Sequence, residues 1–367
     1  GQVRAKVIAC EDELLDGPLA AGRVGDFILE NAEVRAVIRG PGEGFYFHGA
    51  SGGTLIDAAL VGRKDLLQEL LPMVELNGGR FDEMVIVEAG DDGPAEIVVR
   101  GPAGPLHLLQ AALGTSTAGV IVEQRYSLAA DDTAIAISTR VFSNPEADEP
   151  AEKSDSLALI DAFFFGGRVE LFAPGTGPFE GGSAPFLASS GSESSYAVVF
   201  SGADQSAVSV ADLFFFRLLE AAVLSVDGPS TTRHLVVGDG SVSSVTGRGW
   251  ELYGSALGTL EGTTAPSIDI EVREPGAHPV TIARSDADGR FSARVPPGRY
   301  ELIARAADRV PGAPIAVEVV ADEVATANPA AGAFGGIDLS IADSSGPIPA
   351  RVVVTGPDYR QPVYAGA

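Results

Sequence analysis

Between Val120 and Phe142 apolar and polar residues alternate with a period of two, broken once at Ala129-Ala-Asp-Asp132. Side chains at that period line opposite faces of a β-strand, so one face can be buried while the other stays wet. On the second half of this stretch Ile135, Ile137, Thr139 and Val141 share a face. Two such runs around a short acidic turn read as a β-hairpin, Val120–Leu128 with Thr133–Phe142.

The same pattern recurs along the chain. Glu33–Arg39 puts Val34, Ala36 and Ile38 on one face, and Met84–Glu88 and Glu96–Arg100 flank the turn Ala-Gly-Asp-Asp-Gly-Pro. The chain's 45 glycines and 24 prolines are spread throughout and punctuate short apolar runs, the texture of many strands joined by turns. Helical signal is sparse. Asp65–Leu71 is expected to make two helical turns stopped by Pro72, because proline cannot continue the hydrogen-bonding ladder. Leu213–Val223 fits a buried strand or a short helix equally, and Ser143–Ser156 reads as a solvated connection. The texture tightens after Gly258–Pro266: Ile268–Arg273, Pro279–Ser285, Arg290–Val295, Arg299–Arg305 and Ile315–Val320 form a compact series of strands. The fold class expected is therefore all-β. A large β-sandwich or supersandwich covers residues 1–260, a small β-sandwich covers 265–327, and the start of a second, incomplete one covers 336–367. The native polypeptide is expected to continue beyond Ala367, and the missing initiator Met suggests a processed or excised chain.

Charge excludes some partners. Fifty acidic against 25 basic residues leave a net charge of −25, and lysine occurs only at positions 6, 64 and 153. Nucleic-acid affinity comes largely from Lys and Arg displacing counterions, so no nucleic-acid partner is expected, and an anionic membrane surface is disfavoured likewise. The most apolar windows, Leu157–Phe165 and Leu213–Leu224, are shorter than the ~20 residues of a membrane span and carry Asp161, Arg217 and Glu220. A single cysteine, Cys10, rules out an intramolecular disulfide and a cysteine-based zinc site; it is expected in a buried strand. Val7-Ile-Ala-Cys10 resembles a lipoprotein cleavage box, but Arg4 and Lys6 interrupt the apolar stretch that such a signal needs.

Motifs of chemistry are weak. Gly49-Ala-Ser-Gly-Gly53 matches GxSxG, but the flanks lack the strand–turn–helix context of a nucleophile elbow, so it reads as a glycine-rich loop. Asp286-Ala-Asp-Gly289 starts like a calcium loop, yet position 12 of such a loop would be Pro297, so a tight turn is expected. Asp91-Asp92 and Asp131-Asp132 are expected to cap and solvate turns. His48, His107, His234 and His278 show no HxH or HxxxH spacing, and no catalytic residue, metal or cofactor is assigned. The most ligand-like patch is Phe45-Tyr46-Phe-His48, where interleaved aromatics and an imidazole suit stacking on a sugar, with Asp57 or Arg80 as polar partners. Phe163-Phe-Phe165 and Phe214-Phe-Phe216 read as core strands, and Trp250 with Tyr253 as packing between domains.

Three stretches resemble known families. Ser285-Asp-Ala-Asp-Gly-Arg-Phe-Ser-Ala-Arg-Val-Pro-Pro-Gly-Arg-Tyr-Glu-Leu-Ile-Ala304 resembles the carboxypeptidase regulatory-like, transthyretin-fold modules of secreted proteins, and Ile348–Gly356 looks like the opening of another. Gly22–Asn31, Val34–Ile38 and Gly52–Asp57 resemble the amino-terminal β region of large extracellular bacterial proteins, many of which carry a downstream PHP-type metallohydrolase domain. Arg125-Tyr-Ser-Leu128 with Ser138–Asn144 is similar to strand pairs of the galactose-mutarotase-like supersandwich. These resemblances imply a non-catalytic scaffold and recognition region of a secreted, extracellular or cell-surface protein, with carbohydrate or cell-surface polymer as partner. The alternatives they imply are an accessory region of a PHP-type phosphoesterase, a carbohydrate-active epimerase or lyase, or a pure adhesion protein.

Overall fold

The computed structural model describes the chain apart from residues 1, 43–51, 76, 92, 107–118, 149, 152–155, 165–169, 179–180, 211–212, 224–227, 229, 307–308, 335–339, 344–345, 349–351, 357–358 and 366–367. Among the described residues, nineteen strands before residue 240 pair antiparallel into one hydrogen-bonded system folded into two layers. The first layer passes from Arg4–Val7 through Phe27–Glu30, Val34–Ile38, Leu55–Leu60 and Glu69–Val74 to Ser156–Phe164, Leu213–Val223, Gln205–Val210 and Gly181–Ala184. The second passes from Glu83–Glu88 through Ala95–Pro105, Val120–Leu128 and Ala134–Ser143 to Ser230–Gly238, Ser195–Val199 and Phe186–Ser190. Ala95–Pro105 joins the layers, because its end pairs with Asn77–Gly79, which pairs in turn with Met73 and Val74.

Alternation decides which side faces in. Along Val120–Leu128 every second residue is buried, and both hairpins read from the sequence form in register, with Ile137 opposite Tyr126 and Ile86 opposite Ile97. The core between the layers gathers Leu29, Ile38, Leu55, Leu70, Phe81, Ile97, Ile135 and Leu235, each worth roughly 1.5–3 kcal/mol when fully buried. Polar pins cross that core. Arg233, from the second layer, donates from Nη2 to Asp161 Oδ1 of the first (2.6 Å) and from Nη1 to Thr139 Oγ1 (2.6 Å), and both ends of the pair are fully buried. Tyr126 Oη donates to the Gly53 carbonyl (2.8 Å), and Tyr196 Oη lies 2.8 Å from the Ala58 carbonyl while accepting the Leu66 N–H (3.0 Å).

Local expectations fail in three places. Cys10 is exposed, just past the first strand, rather than buried in one. Asp65–Leu71 is not helical: Asp65 is tied by its carboxylate to the N–H groups of Ala58 (2.8 Å) and Leu67 (3.1 Å), and a buried strand starts at Glu69. Pro72 sits inside that strand, in the gap between the Leu55↔Leu70 and Met73↔Gly78 pairings, where its missing N–H leaves no ladder bond unmade. The third is a helix, Ser243–Tyr253, where none was expected. Leu213–Val223 resolves as a strand.

The small sandwich starts at Gly258, earlier than the change of texture suggests. Gly258–Thr263 pairs with Arg290–Val295 and Val324–Thr326 in a three-stranded sheet. A four-stranded sheet of Pro279–Arg284, Asp269–Arg273, Gly298–Arg305 and Ile315–Val319 covers it over Leu260, Ile270, Phe291, Val295 and Leu302. Asp286 closes the tight turn: its Oδ1 accepts the N–H groups of Asp288 (2.9 Å) and Arg290 (2.8 Å), and Gly289 takes φ 77°. Beyond it, among the described residues, Ala342–Asp343 pairs with Gly346–Pro347 and Val352–Gly356 with Tyr359–Ala365.

Candidate functional site

The helix Ser243–Tyr253 lies where the two sandwiches meet. Its sequence carries Gly247 and Gly249, each costing about 1 kcal/mol against Ala in a helix interior, so tertiary contacts hold it. A Cβ on Gly247 would come within 3.0 Å of Arg294 Cβ, and one on Gly249 within 3.0 Å of the Phe186 ring; glycine lets the helix approach both sandwiches at once. Trp250 meets Phe186 edge-to-face (5.1 Å between centroids), and Ile282 of the small sandwich packs against the same cluster. The Thr246 and Thr281 hydroxyls, both buried, are hydrogen-bonded at 2.6 Å. Gly254, at φ 102°, ends the helix by donating to the Trp250 and Glu251 carbonyls.

Beside this joint opens a cleft of about 720 Å3, walled by the turn 129–133 of the large sandwich, by Ser244, Gly247, Arg248 and Glu251 of the helix, and by Ser292–Arg294 of the small one. The turn is held from behind, since Asn31 Nδ2 donates to the Ala129 and Asp132 carbonyls (2.8 Å each). A chain of ion pairs runs along the cleft wall. Asp132 takes Arg248 Nε (3.1 Å) and Nη2 (2.6 Å), Glu251 accepts Arg248 Nη1 (2.9 Å), and Arg294 Nη2 donates to Glu251 (3.1 Å). The hydrogen bonds from Arg248 and Arg294 hold the Glu251 carboxyl below its ordinary range, and the bond to Asp132 raises Arg248. His234, on Ser230–Gly238, lies within electrostatic reach of the same pair; burial, helped by Arg248 and opposed by Asp132, lowers its imidazole pKa and favours the neutral form.

Of the residues proposed from the sequence as a ligand patch, the two that the structure describes, Asp57 and Arg80, sit elsewhere. Asp57 is fully buried, and its two oxygens accept the N–H groups of Ala21 and Gly22 (2.8 Å each). Burial pushes its carboxyl up to about 6 against those two bonds. Arg80 is exposed, its N–H bonded to the Pro102 carbonyl (2.9 Å) and its stem lying over Gly104. Neither lines the cleft. Tyr46 and His48 lie outside the described residues, as does Ser51. Sequence reasoning missed the cleft, because Asp132 reads as a solvated turn acid and nothing in the order of residues links it to Arg248, 116 positions away. The pairing of Trp250 and Tyr253 ahead of a change in texture was the signal of a joint, and they do stand at one. Among the described residues no group of three or more His, Cys, Asp or Glu is placed to hold a metal ion, and no helix is long and apolar enough to cross a membrane.

No family model matches this sequence, and no curated protein matches it. Among solved structures, an alpha-mannosidase from Enterococcus faecalis V583 is similar over 58% of this chain and 29% of its own, at 9% identity and a TM-score of 0.37. A GH36 alpha-galactosidase from Geobacillus stearothermophilus is similar over 62% and 42%, at 12% identity and the same TM-score of 0.37. The Bacillus anthracis TIE protein is similar over 69% and 40%, at 10% identity and a TM-score of 0.18. The chain thus spans less than half the length of each of these structures.

Proposed function

We propose that this chain is a non-catalytic recognition and spacer region of a larger extracellular or cell-surface protein, and that its partner is carbohydrate or cell-surface polymer. The observation that carries the reading is the joint. A flexible linker would let two sandwiches tumble separately, whereas here a helix is packed into both by an aromatic contact, a buried hydroxyl pair and a relay of ion pairs. Such a joint holds whatever lies beyond it at a set distance and angle. A polar cleft at the same joint gives the spacer a surface for a hydroxyl-rich partner. The carboxypeptidase regulatory-like resemblance and the acidic, lysine-poor composition support a secreted setting. A downstream PHP-type hydrolase is one cargo that such a spacer would carry.

A second reading, a supersandwich-type epimerase or lyase, is favoured by one observation: His234 lies in the field of Asp132 and Arg248. It predicts turnover of a sugar substrate that His234→Ala abolishes. The spacer reading predicts no turnover, and sedimentation of the intact chain with insoluble neutral polysaccharides such as cellulose or starch granules. Absence of binding to every polysaccharide and glycan tested would remove the recognition half of the proposal. Alanine at Tyr46 and His48 tests the aromatic patch: an unchanged glycan-array profile makes that segment structural.

A further inference from the structure

Resting on the carbohydrate reading above, we infer that the cleft between the two sandwiches is the binding site, and that its ligand is a short stretch of an uncharged, hydroxyl-rich chain. The cleft, at about 720 Å3, is open to solvent along one side and has room for a short ligand lying in it. Its walls choose the chemistry. The apolar residues among them are alanines (Ala129, Ala130 and Ala293), so a ligand gains little from burying greasy or aromatic surface there. Among the described residues no aromatic ring lines the cleft, so recognition there rests on hydrogen bonds rather than on stacking, and a peptide would need side-chain pockets or an unpaired strand edge. Hydrogen-bonding groups of both kinds are present: guanidinium donors at Arg248 and Arg294, carboxylate acceptors at Asp132 and Glu251, and the hydroxyl of Ser292.

The ion pairs decide the ligand's charge. Asp132 is held bidentate by Arg248, and Glu251 bridges Arg248 and Arg294. An anion drawn to a guanidinium here also meets the carboxylate paired with it, and a cation meets the guanidinium, so the walls oppose either sign in part. Polyanions also meet the repulsion of a chain with net charge −25. A sugar hydroxyl avoids both costs, since it donates to a carboxylate lone pair and accepts from a guanidinium N–H while the pairs stay intact. The walls are set in advance by Asn31 behind the turn and by the Thr246–Thr281 bond beneath the helix, so little ordering entropy opposes binding.

The test is calorimetric titration of the intact chain with neutral malto-, cello- and manno-oligosaccharides, with oligogalacturonate as the anionic comparison. Arg294, half exposed at the rim, and Ser292, exposed on its strand, supply the variants. At least one neutral oligosaccharide should bind the wild type. Arg294→Ala should weaken it about tenfold, as expected for losing one charged hydrogen bond, and Ser292→Trp should abolish it by filling the cleft. Thermal melts of both variants check folding, and if Ser292→Trp fails to fold, Arg294→Ala decides. Unchanged binding in the folded variants overturns the cleft assignment while leaving the carbohydrate reading intact. Preference for oligogalacturonate overturns the uncharged class. No binding of the wild type to any soluble or insoluble glycan overturns both.

Discussion

Arg233 and Asp161 stand opposite each other across a core of leucine, isoleucine and phenylalanine, with no exposed surface on either side chain. Taking two charges out of water costs several kcal/mol per ion, and their attraction repays it only when the remaining hydrogen bonds are made. Here Thr139 and the Ile137 carbonyl complete the guanidinium, while burial still holds the Asp161 carboxyl above its ordinary range against the pull of Arg233. Removing one partner strands the other. Arg233→Ala should cost about 3–5 kcal/mol in urea unfolding, whereas Arg233→Met with Asp161→Leu should restore most of it. A double variant as unstable as the single one would show that the pair itself supplies the stability. Asp57 makes a second prediction. Its folded pKa, about 6, lies above the unfolded value near 3.8, so the folded state holds the proton more tightly. Stability from this group is full below about pH 4 and is lost as pH rises through 6. Asp57→Asn should flatten that loss by roughly 1–3 kcal/mol relative to wild type, measured by unfolding at pH 4.5 and 7.5. An identical pH slope in the two proteins would contradict the assignment. Both acids were visible in the sequence, Asp161 as the one charge in an apolar run, but alternation along one strand does not say what faces it from another sheet.

Among the elements, strands were legible and the helix was not. The hairpins at Glu83–Arg100 and Val120–Ser143 follow from alternation and turn chemistry alone, because both act between neighbours in the chain. The helix Ser243–Tyr253, with two glycines and a threonine in its middle, has poor intrinsic propensity and is stabilised by what it touches. The reverse error occurred at Asp65–Leu71, where a helical pattern was overridden by Asp65 clamping two backbone amides and by pairing with Ser156–Phe164. Gly249→Leu should therefore destabilise the joint far beyond its helix-propensity gain, since a Cβ already meets the Phe186 ring at 3.0 Å. The check is a lowered melting temperature, and a raised one would mean that propensity governs this helix. Arg248→Ala removes the centre of the relay from Asp132 to Arg294; partly exposed pairs contribute about 1 kcal/mol or less each. Its expected effect is looser coupling rather than unfolding.

At the scale of the whole molecule that coupling has an observable consequence. If the joint binds the sandwiches as tightly as its contacts indicate, calorimetry of the wild type should show one transition, and Arg248→Ala with Thr246→Val should split it in two. Two well-separated transitions in the wild type would deny the spacer its rigidity. Because the relay is partly solvent-exposed, 1 M salt, with a Debye length of about 3 Å, should weaken the coupling in the same direction. The all-β class, the two hairpins and the tight turn at Asp286 were settled by the amino-acid order alone. Each depends on period or turn chemistry, properties that neighbouring residues carry. The Arg233–Asp161 bridge, the helix at the joint and the cleft beside it were decided only by tertiary structure. They bring together residues 72, 35 and 116 positions apart, as the pairs Asp161–Arg233, Thr246–Thr281 and Asp132–Arg248 show. No local rule links such residues until the sheets have stacked and excluded water between them.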